Sequence, residues 1–249
     1  MSESWLQEAV ALSGLPPPTT FPRDLIIEAP PPHLLPITFV GLRGLTVAAI
    51  EHWLVRRGLD CPMSGASRKL HGLMVWIEGK GILFHDLDDA EDEQRFTVAH
   101  ELAHFVLEQR MPQARASRLF GAGIQAVLDG QRPPTPEERV SALLEHTPLS
   151  TQVDLLERGA QGEILQGSIR KAERRADQLA FEFLAPASQA LAVVNGTSAA
   201  EGVTRLARTF GLPRHAAERY ARLLRPSLHA PRFSLAEFLD GTEDDHGRP

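Results

Sequence analysis

The sequence has one cysteine, few aromatic residues and no long apolar run. Its single cysteine, Cys61, excludes an internal disulfide and fits a reducing compartment. No segment approaches the ~18 consecutive apolar residues that a membrane-spanning helix needs. Residues 1–18 contain a glutamate within their apolar part and no basic stretch, so they do not resemble a signal peptide. We therefore expect a cytoplasmic protein that does not enter the membrane.

An excess of positive charge is also absent. Lysine and arginine number 26 against 32 aspartates and glutamates, which gives a net charge of −6. This balance argues against a protein that binds nucleic acid through its overall charge. Hydrophobic residues form 43% and charged residues 23% of the 249 residues, which is typical of a soluble globular protein with a core.

Hydrophobic spacing and turn residues predict mixed secondary structure in the first third of the chain. A short helix at 4–13 precedes a proline-rich arm at 14–36, and an amphipathic helix follows at 45–57. Two apolar runs, at 71–77 and 81–85, flank a glycine-containing turn and predict a β-hairpin.

Two longer helices are predicted further along. The acidic run at 87–93 favours a helix start, with aspartates as N-cap candidates, and the apolar spacing continues to about Gln109. A second helical pattern covers 168–184 and is followed by Pro186. Between these helices, residues 110–167 have a looser pattern, which indicates an insertion or lid.

The strongest chemical signal is the sequence HELAH at 100–104, inside the first of these helices. Residues four apart lie on one face of a helix, so His100 and His104 can bind the same metal ion from adjacent turns. Glu101 lies about 100° around the helix from His100, close enough to act on a water at the metal without binding the metal itself. The alternative is a surface helix with two histidines and an unrelated glutamate.

A catalytic zinc site requires a third protein ligand and an open position. Glu173 and Asp177 are four residues apart in the helix at 168–184, so their carboxylates share a face. One carboxylate could bind zinc while the other accepts a hydrogen bond from a histidine ligand. Alternatively, both pair with neighbouring basic side chains on a solvated face. Spacing alone leaves both interpretations open.

Together, these segments resemble the ImmA/IrrE family of bacterial metallopeptidases. The resemblance rests on RFTVAHELAHF at 95–105 and on the pattern ExxADxLAFEFLAP at 173–186. Ala103 stands where the family commonly has glycine, a replacement of one small residue by another that preserves close packing. The two motifs are about 68 residues apart, more than is typical of the family, so the intervening segment could form a lid or a substrate surface.

The resemblance also implies roles for the matched residues. One zinc ion would be bound by His100, His104 and Glu173, with Glu101 as the general base. Asp177 falls at the family's Asn/Asp position and would orient one of the histidine ligands. The resemblance further implies a protein substrate, namely a helix–turn–helix repressor whose cleavage switches on a stress-response or mobile-element operon.

A basic pair of helices follows the second motif. Ser198 and Glu201 form a capping pattern for a first helix, and a turn at 211–213 leads to a second helix at about 214–224. Residues 196–225 contain six arginines against two glutamates, a local balance of +4 in an acidic protein. Such a helix–turn–helix-like pair could enter a DNA groove, or it could pack against the peptidase and complete it.

These features predict an α+β fold, mainly helical and zincin-like, with a small antiparallel sheet beside the zinc site. We expect an N-terminal helix and proline-rich arm at 1–40 and a zinc metallopeptidase domain at 41–195. A helix–turn–helix-like subdomain would follow at 196–230, and a tail at 231–249.

The predicted function is that of a zinc-dependent endopeptidase. Two alternatives come from other classes: a DNA-binding regulator with a structural zinc, and an antitoxin-like interaction protein without turnover. Tyr220 and His146 are candidates for stabilising an oxyanion, although nothing in the sequence places either near the zinc.

Overall fold

A computed structural model describes most of the chain, namely residues 4–59, 61, 63, 69–77, 80–128, 131–144 and 162–224. These residues form a mainly helical structure with one small sheet, which confirms the predicted α+β class. None of the described helices is both long and apolar enough to cross a membrane.

The helices of the described residues follow the chain in a simple order. They are α1 (Ser4–Ser13), α2 (Val47–Val55), α3 (Glu91–Phe105), α4 (Met111–Phe120), α5 (Gln125–Leu128), α6 (Pro136–Leu144), α7 (Gly162–Leu184), α8 (Ala187–Val194), α9 (Ala199–Phe210) and α10 (Arg214–Leu224). A π-helical turn at Val106–Arg110 joins α3 to α4, and a 3₁₀ turn at Ala122–Ile124 precedes α5. The helix predicted at 168–184 begins earlier, at Gly162.

One three-stranded sheet lies beside these helices. Strands β2 (Gly72–Ile77) and β3 (Lys80–Asp86) form the predicted antiparallel hairpin. Strand β1 (Ile37–Leu42) adds to the other side of β3 in parallel, with Phe39 opposite Leu83. The sheet is therefore mixed: the predicted antiparallel hairpin is present, and a parallel strand that was not predicted joins it. A parallel partner joins through a distant crossover, for which the local pattern of β1 carries no signal.

The central strand β3 is buried on both faces. Leu83 belongs to the main core with α3 and α7, whereas Ile82 and Phe84 belong to a second core with α2. A strand covered on both sides has a continuous apolar run rather than an alternating one. This double coverage fixes the hairpin against α3, which follows it directly.

Helix α3 begins without a side-chain cap. Its N-cap residue is Ala90, so the predicted aspartate cap was wrong. The preceding aspartates bond elsewhere: Asp88 accepts from Arg43, and Asp89 accepts from Lys69. The first turn nevertheless carries three acidic residues, which interact favourably with the positive end of the helix dipole.

The proline-rich arm is anchored to α7 by a buried arginine. Arg23 is 2% exposed and donates hydrogen bonds to the carbonyl oxygens of Phe183 (2.8 Å) and Pro16 (2.5 Å). Its charge is paired with Glu28 at 2.7 Å. The arm therefore holds the C-terminal end of α7, the helix that carries the second sequence motif.

Asp86 connects the turn that follows β1 to the turn that follows β3, at one end of the sheet. Its carboxylate is fully buried and accepts hydrogen bonds from the backbone N–H groups of Gly44 (3.0 Å) and Asp88 (2.9 Å), with the ammonium of Lys69 at 3.3 Å. Burial alone would raise the pKa of Asp86, but the Asp88 N–H and the Lys69 ammonium together hold it below its ordinary value. The ionised carboxylate therefore stabilises the fold.

We expect Asp86→Asn to lower the free energy of unfolding at pH 7 by about 1–3 kcal/mol, because it weakens buried charge-assisted hydrogen bonds. Because the pKa of Asp86 is lower in the folded state than its ordinary value, the ionised carboxylate stabilises the fold fully at pH values above the unfolded-state pKa. This stabilisation is lost as the pH falls through the folded-state pKa. Urea unfolding measures the free energy of unfolding at pH 7 and at pH 3. The difference in this free energy between the wild type and Asp86→Asn should be smaller at pH 3. Asp88→Asn, at a half-exposed ion pair, is the control. An equal effect of both variants at pH 7 would contradict this role of Asp86.

Candidate metal centre

His100 and His104 lie one turn apart on α3, and His100 packs against the buried ring of Phe96, one turn earlier, with ring centres 6.0 Å apart. Ala99, Leu102 and Ala103 of the same helix are fully buried in the main core. The Nε2 atoms of the two histidines are 3.2 Å apart, and the side chains are 20% and 11% exposed. Both imidazoles therefore direct Nε2 toward one point at the helix surface.

Glu173 brings a carboxylate from α7 to the same point. Helices α3 and α7 pack against each other, and the small, fully buried side chains of Ala176 and Ala180 allow a close approach. Oε2 of Glu173 lies 3.3 Å from Nε2 of His100, and Oε1 lies 3.6 Å from Nε2 of His104. The structure thus brings His100, His104 and Glu173 together as a group that could hold a metal ion.

Each histidine also contacts a carboxylate through its other ring nitrogen. Nδ1 of His100 lies 3.2 Å from Oδ1 of Asp177, and Nδ1 of His104 lies 2.6 Å from Oε1 of Glu108. A carboxylate at Nδ1 fixes the proton there and leaves Nε2 to face a metal. Glu108 had no predicted role, although its i, i+4 spacing from His104 was a usable signal.

The geometry of the donor atoms fits zinc. Tetrahedral bonds of about 2.0–2.1 Å separate neighbouring ligand atoms by about 3.3 Å. The three separations here are 3.2, 3.3 and 3.6 Å. Two imidazoles and one carboxylate beside a cleft are a donor set that could hold a divalent metal ion and leave a further position open.

The charges of the site favour a bound cation. Burial alone would lower the pKa of His100, but the neighbouring carboxylates of Asp177 and Glu173 outweigh burial and raise the pKa to about 9. The neighbouring imidazole of His100 holds the pKa of Glu173 below its ordinary value, so this carboxylate is ionised at neutral pH. Positive charge at the position between these groups is therefore strongly stabilised.

Glu101 lies next to this group without belonging to it. Burial raises the pKa of Glu101, while the neighbouring histidines and the backbone N–H of Met74 act in the opposite direction and only partly offset it. A carboxylate with a raised pKa is a better proton acceptor at neutral pH. Glu101 lines the same cleft as His100 and Glu173, where a substrate could reach it.

The cleft has a volume of about 580 Å³ and two histidines at its rim. Nδ1 of His71 lies 2.7 Å from Asp89, and Nδ1 of His215 lies 3.2 Å from Glu93. Arg219 also lines the cleft. Sequence analysis assigned no site role to His215 or Arg219, because their helix, α10, is far from α3 in the chain.

The structure describes one of the two residues that were candidates for stabilising an oxyanion. Tyr220 is buried, stacks on Phe181 at 4.4 Å and donates its hydroxyl hydrogen to the carbonyl oxygen of Ala185 at 2.7 Å. Its hydroxyl is therefore engaged in fixing α10 to the end of α7, and Tyr220 is not among the residues that line the cleft. His146 lies outside the described residues.

Several arginines of α9 and α10 are paired with acidic residues. The pairs are Arg205 with Glu201, Arg214 with Glu218, and Arg219 with Asp177, at 2.7, 3.1 and 2.8 Å. Glu201 and Glu218 are already subtracted in the sequence count of +4, so only the pair with Asp177, a residue of α7, further reduces the positive charge that this hairpin offers to a DNA backbone. Binding of DNA by the hairpin stays a prediction, as does the division into domains.

Gly72 sets the distance between the sheet and α3. A Cβ atom at this position would lie 2.4 Å from Cγ2 of Thr97, 3.1 Å from Cγ of Glu101 and 3.3 Å from the carbonyl oxygen of Phe84. Only a residue without a side chain allows β2 to pack this closely on the helix that carries the histidines. Gly72 is therefore a further residue that sequence analysis missed.

We expect Gly72→Ala to lower the free energy of unfolding by about 1–3 kcal/mol, because overpacking displaces α3 or β2. Chemical denaturation followed by circular dichroism measures the loss. The double variant Gly72→Ala/Thr97→Ser removes the nearest methyl group and should recover part of the stability. If Gly72→Ala has the stability of the wild type, or if the second substitution recovers nothing, the close contact does not constrain the helix.

An HExxH helix beside a helix that supplies a glutamate is the arrangement of a class of zinc-dependent peptidases. Comparison with known proteins supports a metallopeptidase. The family model described as IrrE N-terminal-like domain (Peptidase_M78) matches residues 60–122, which supports the resemblance to the ImmA/IrrE family. The matched segment contains His100, Glu101 and His104 but not Glu173. No curated protein and no solved structure matches the chain.

Proposed function

We propose that the protein is a zinc-dependent endopeptidase. The observation that carries the proposal is the convergence of three ligand atoms, from His100, His104 and Glu173, within 4.8 Å of one another beside Glu101. The peptidase family of residues 60–122 supports proteolysis in general, and the donor set and its spacing support zinc.

In this proposal His100, His104 and Glu173 would hold one zinc ion. Bound zinc would supply Lewis acidity, which lowers the pKa of water toward ~7 and polarises the scissile carbonyl. Asp177 and Glu108 would keep the Nδ1 protons of the two histidines in place, so that both rings stay oriented.

Glu101 would act as the general base. Its carboxylate takes a proton from the attacking water and gives it to the nitrogen of the leaving amine. Burial favours the protonated form of Glu101, which helps it to hold that proton between the two transfers.

The sheet offers a surface for an extended protein substrate. β2 is an edge strand, since the order of the sheet is β1-β3-β2, and Gly72 at its start lines the cleft. An extended peptide can pair with an exposed strand edge through main-chain hydrogen bonds. Such pairing would place a peptide bond near Glu101 without requiring a particular side chain.

The proposed substrate is a helix–turn–helix repressor whose cleavage switches on a stress-response or mobile-element operon. This proposal rests on the family resemblance, which is an analogy. The alternatives of a DNA-binding regulator and of an interaction protein without turnover require neither an open cleft at the metal nor a glutamate beside it.

The experiment that tests the proposed function compares new protein N-termini in a lysate of the source cells. The lysate is incubated with zinc-loaded wild type or with the Glu101→Gln variant, and the termini are identified by labelling and mass spectrometry. We expect termini that only the wild type produces, including one within a helix–turn–helix repressor. Identical sets of termini would contradict peptidase activity, and wild-type termini that include no repressor would contradict the proposed substrate.

A further inference from the structure

Arg219 connects α10 to the candidate metal centre. Its Nη1 lies 2.8 Å from Oδ2 of Asp177, and the other carboxylate oxygen, Oδ1, lies 3.2 Å from Nδ1 of His100. One carboxylate therefore bridges the arginine and a candidate metal ligand. The chain of contacts runs from α10 through α7 to α3.

The charges around Asp177 explain why it needs this partner. The cleft is lined by the carboxylates of Glu93, Glu101, Glu173 and Asp177. Among the described residues that line it, Arg219 is the only one with a permanent positive charge. Without that charge, repulsion from the other carboxylates would favour rotation of the Asp177 carboxylate away from His100.

Arg219 is also held in a defined position. Its guanidinium group lies 5.5 Å from the ring centre of Phe96, a residue of α3, in a cation–π arrangement. Its neighbour Tyr220 ties α10 to the end of α7 through Ala185. The arginine therefore projects from a fixed helix, which is the requirement for a group that orients another.

We propose that Arg219 is a positioning residue for the metal centre, which acts by holding the Asp177 carboxylate against His100. The helical hairpin α9–α10, whose sequence resembles a DNA-binding element, thereby contributes to metal retention. This inference rests on the proposed metal site.

The test measures the dissociation constant of Zn²⁺ by competition with a chromophoric chelator on the full chain. We expect Arg219→Met to weaken Zn²⁺ binding about 10-fold, at the lower end of the effects seen when groups that orient metal ligands are removed. Arg214→Met is the matched control, since Arg214 lies on the same helix, is 88% exposed and, among the described residues, forms an ion pair only with Glu218. The control should bind Zn²⁺ within about twofold of the wild type.

A double-mutant cycle separates positioning from a general structural effect. Asp177→Ala should weaken Zn²⁺ binding by about 10–100-fold, and adding Arg219→Met to it should change the constant less than about twofold. If the fold-losses in Zn²⁺ affinity of the two single variants multiply in the double variant, the proposal is overturned, because Arg219 then acts independently of Asp177. Thermal unfolding checks that each variant is folded, and Arg219→Gln replaces Arg219→Met if the latter is not.

The outcomes distinguish this inference from the proposed function. If the wild type binds Zn²⁺ no more tightly than Glu173→Ala, the proposed metal site is wrong. If the wild type and Glu173→Ala differ but Arg219→Met and Arg219→Gln equal the wild type, the metal site stands and the role of Arg219 is overturned.

Discussion

Replacing Glu101 by glutamine is expected to lower peptide hydrolysis by about 10²–10⁴-fold while zinc stays bound, because loss of a general base has effects of this size. The side chain of Glu101 is not part of the group formed by His100, His104 and Glu173. Glutamine has nearly the same volume and cannot accept the proton of the attacking water. The measurement is the initial rate of product formation from a substrate that the wild type cleaves. The zinc content per chain is determined on the same samples.

Glu91→Gln is the matched control for this variant. Glu91 lies in the first turn of the same helix, and its side chain is 93% exposed. The control should bind as much zinc as the wild type and hydrolyse peptide at the wild-type rate. A Glu101→Gln variant that hydrolyses peptide at the wild-type rate would exclude Glu101 as the base, and loss of zinc would mean that Glu101 supports the metal itself.

Replacing Glu173 by alanine is expected to remove the metal. One of three ligands is lost, and the two remaining imidazoles come from a single helix. We expect zinc to fall from about one ion per chain to below about 0.1 after dialysis against a weak chelator. Inductively coupled plasma mass spectrometry, on protein purified without an affinity metal, gives both values.

The control for this variant is Glu201→Ala, which removes a half-exposed carboxylate from α9. It should keep the zinc content of the wild type. Equal zinc in the wild type and in Glu173→Ala would contradict Glu173 as a required ligand. A wild type that binds no zinc even when zinc is supplied would contradict the proposed cofactor.

The part of the site that the sequence predicts is the part encoded by local spacing. His100 and His104 are four residues apart, so their common face follows from helix geometry alone. For Glu173 and Asp177 the spacing fixed only a shared face, and their approach to the histidines depends on the packing of α7 against α3. The family resemblance supplied that long-range information, and the structure places both carboxylates at the histidines.

Features that depend on distant contacts were not predicted. β1 pairs in parallel with β3 across an intervening helix, and no turn signal marks such a pairing. Gly72 matters through its distance from Thr97, which becomes visible only once strand and helix are packed. Arg219 was counted as one charge of a basic hairpin, whereas in the structure it pairs with Asp177.

The N-terminus of α3 shows how a local signal can be overridden. The run at 87–93 offers aspartates as N-caps, yet Ala90 occupies the N-cap position. Asp89 instead contacts Lys69 and His71, beside the start of β2. Asp89 therefore makes contacts between segments in place of a capping hydrogen bond, which would contribute about 1 kcal/mol.

The most direct test of the metal centre is X-ray diffraction from crystals of the zinc-loaded protein at wavelengths on both sides of the zinc absorption edge. Our account predicts one anomalous peak per chain, about 2.0–2.2 Å from Nε2 of His100, from Nε2 of His104 and from a carboxylate oxygen of Glu173. A peak bound by other side chains, or one without Glu173 among its ligands, would contradict the account.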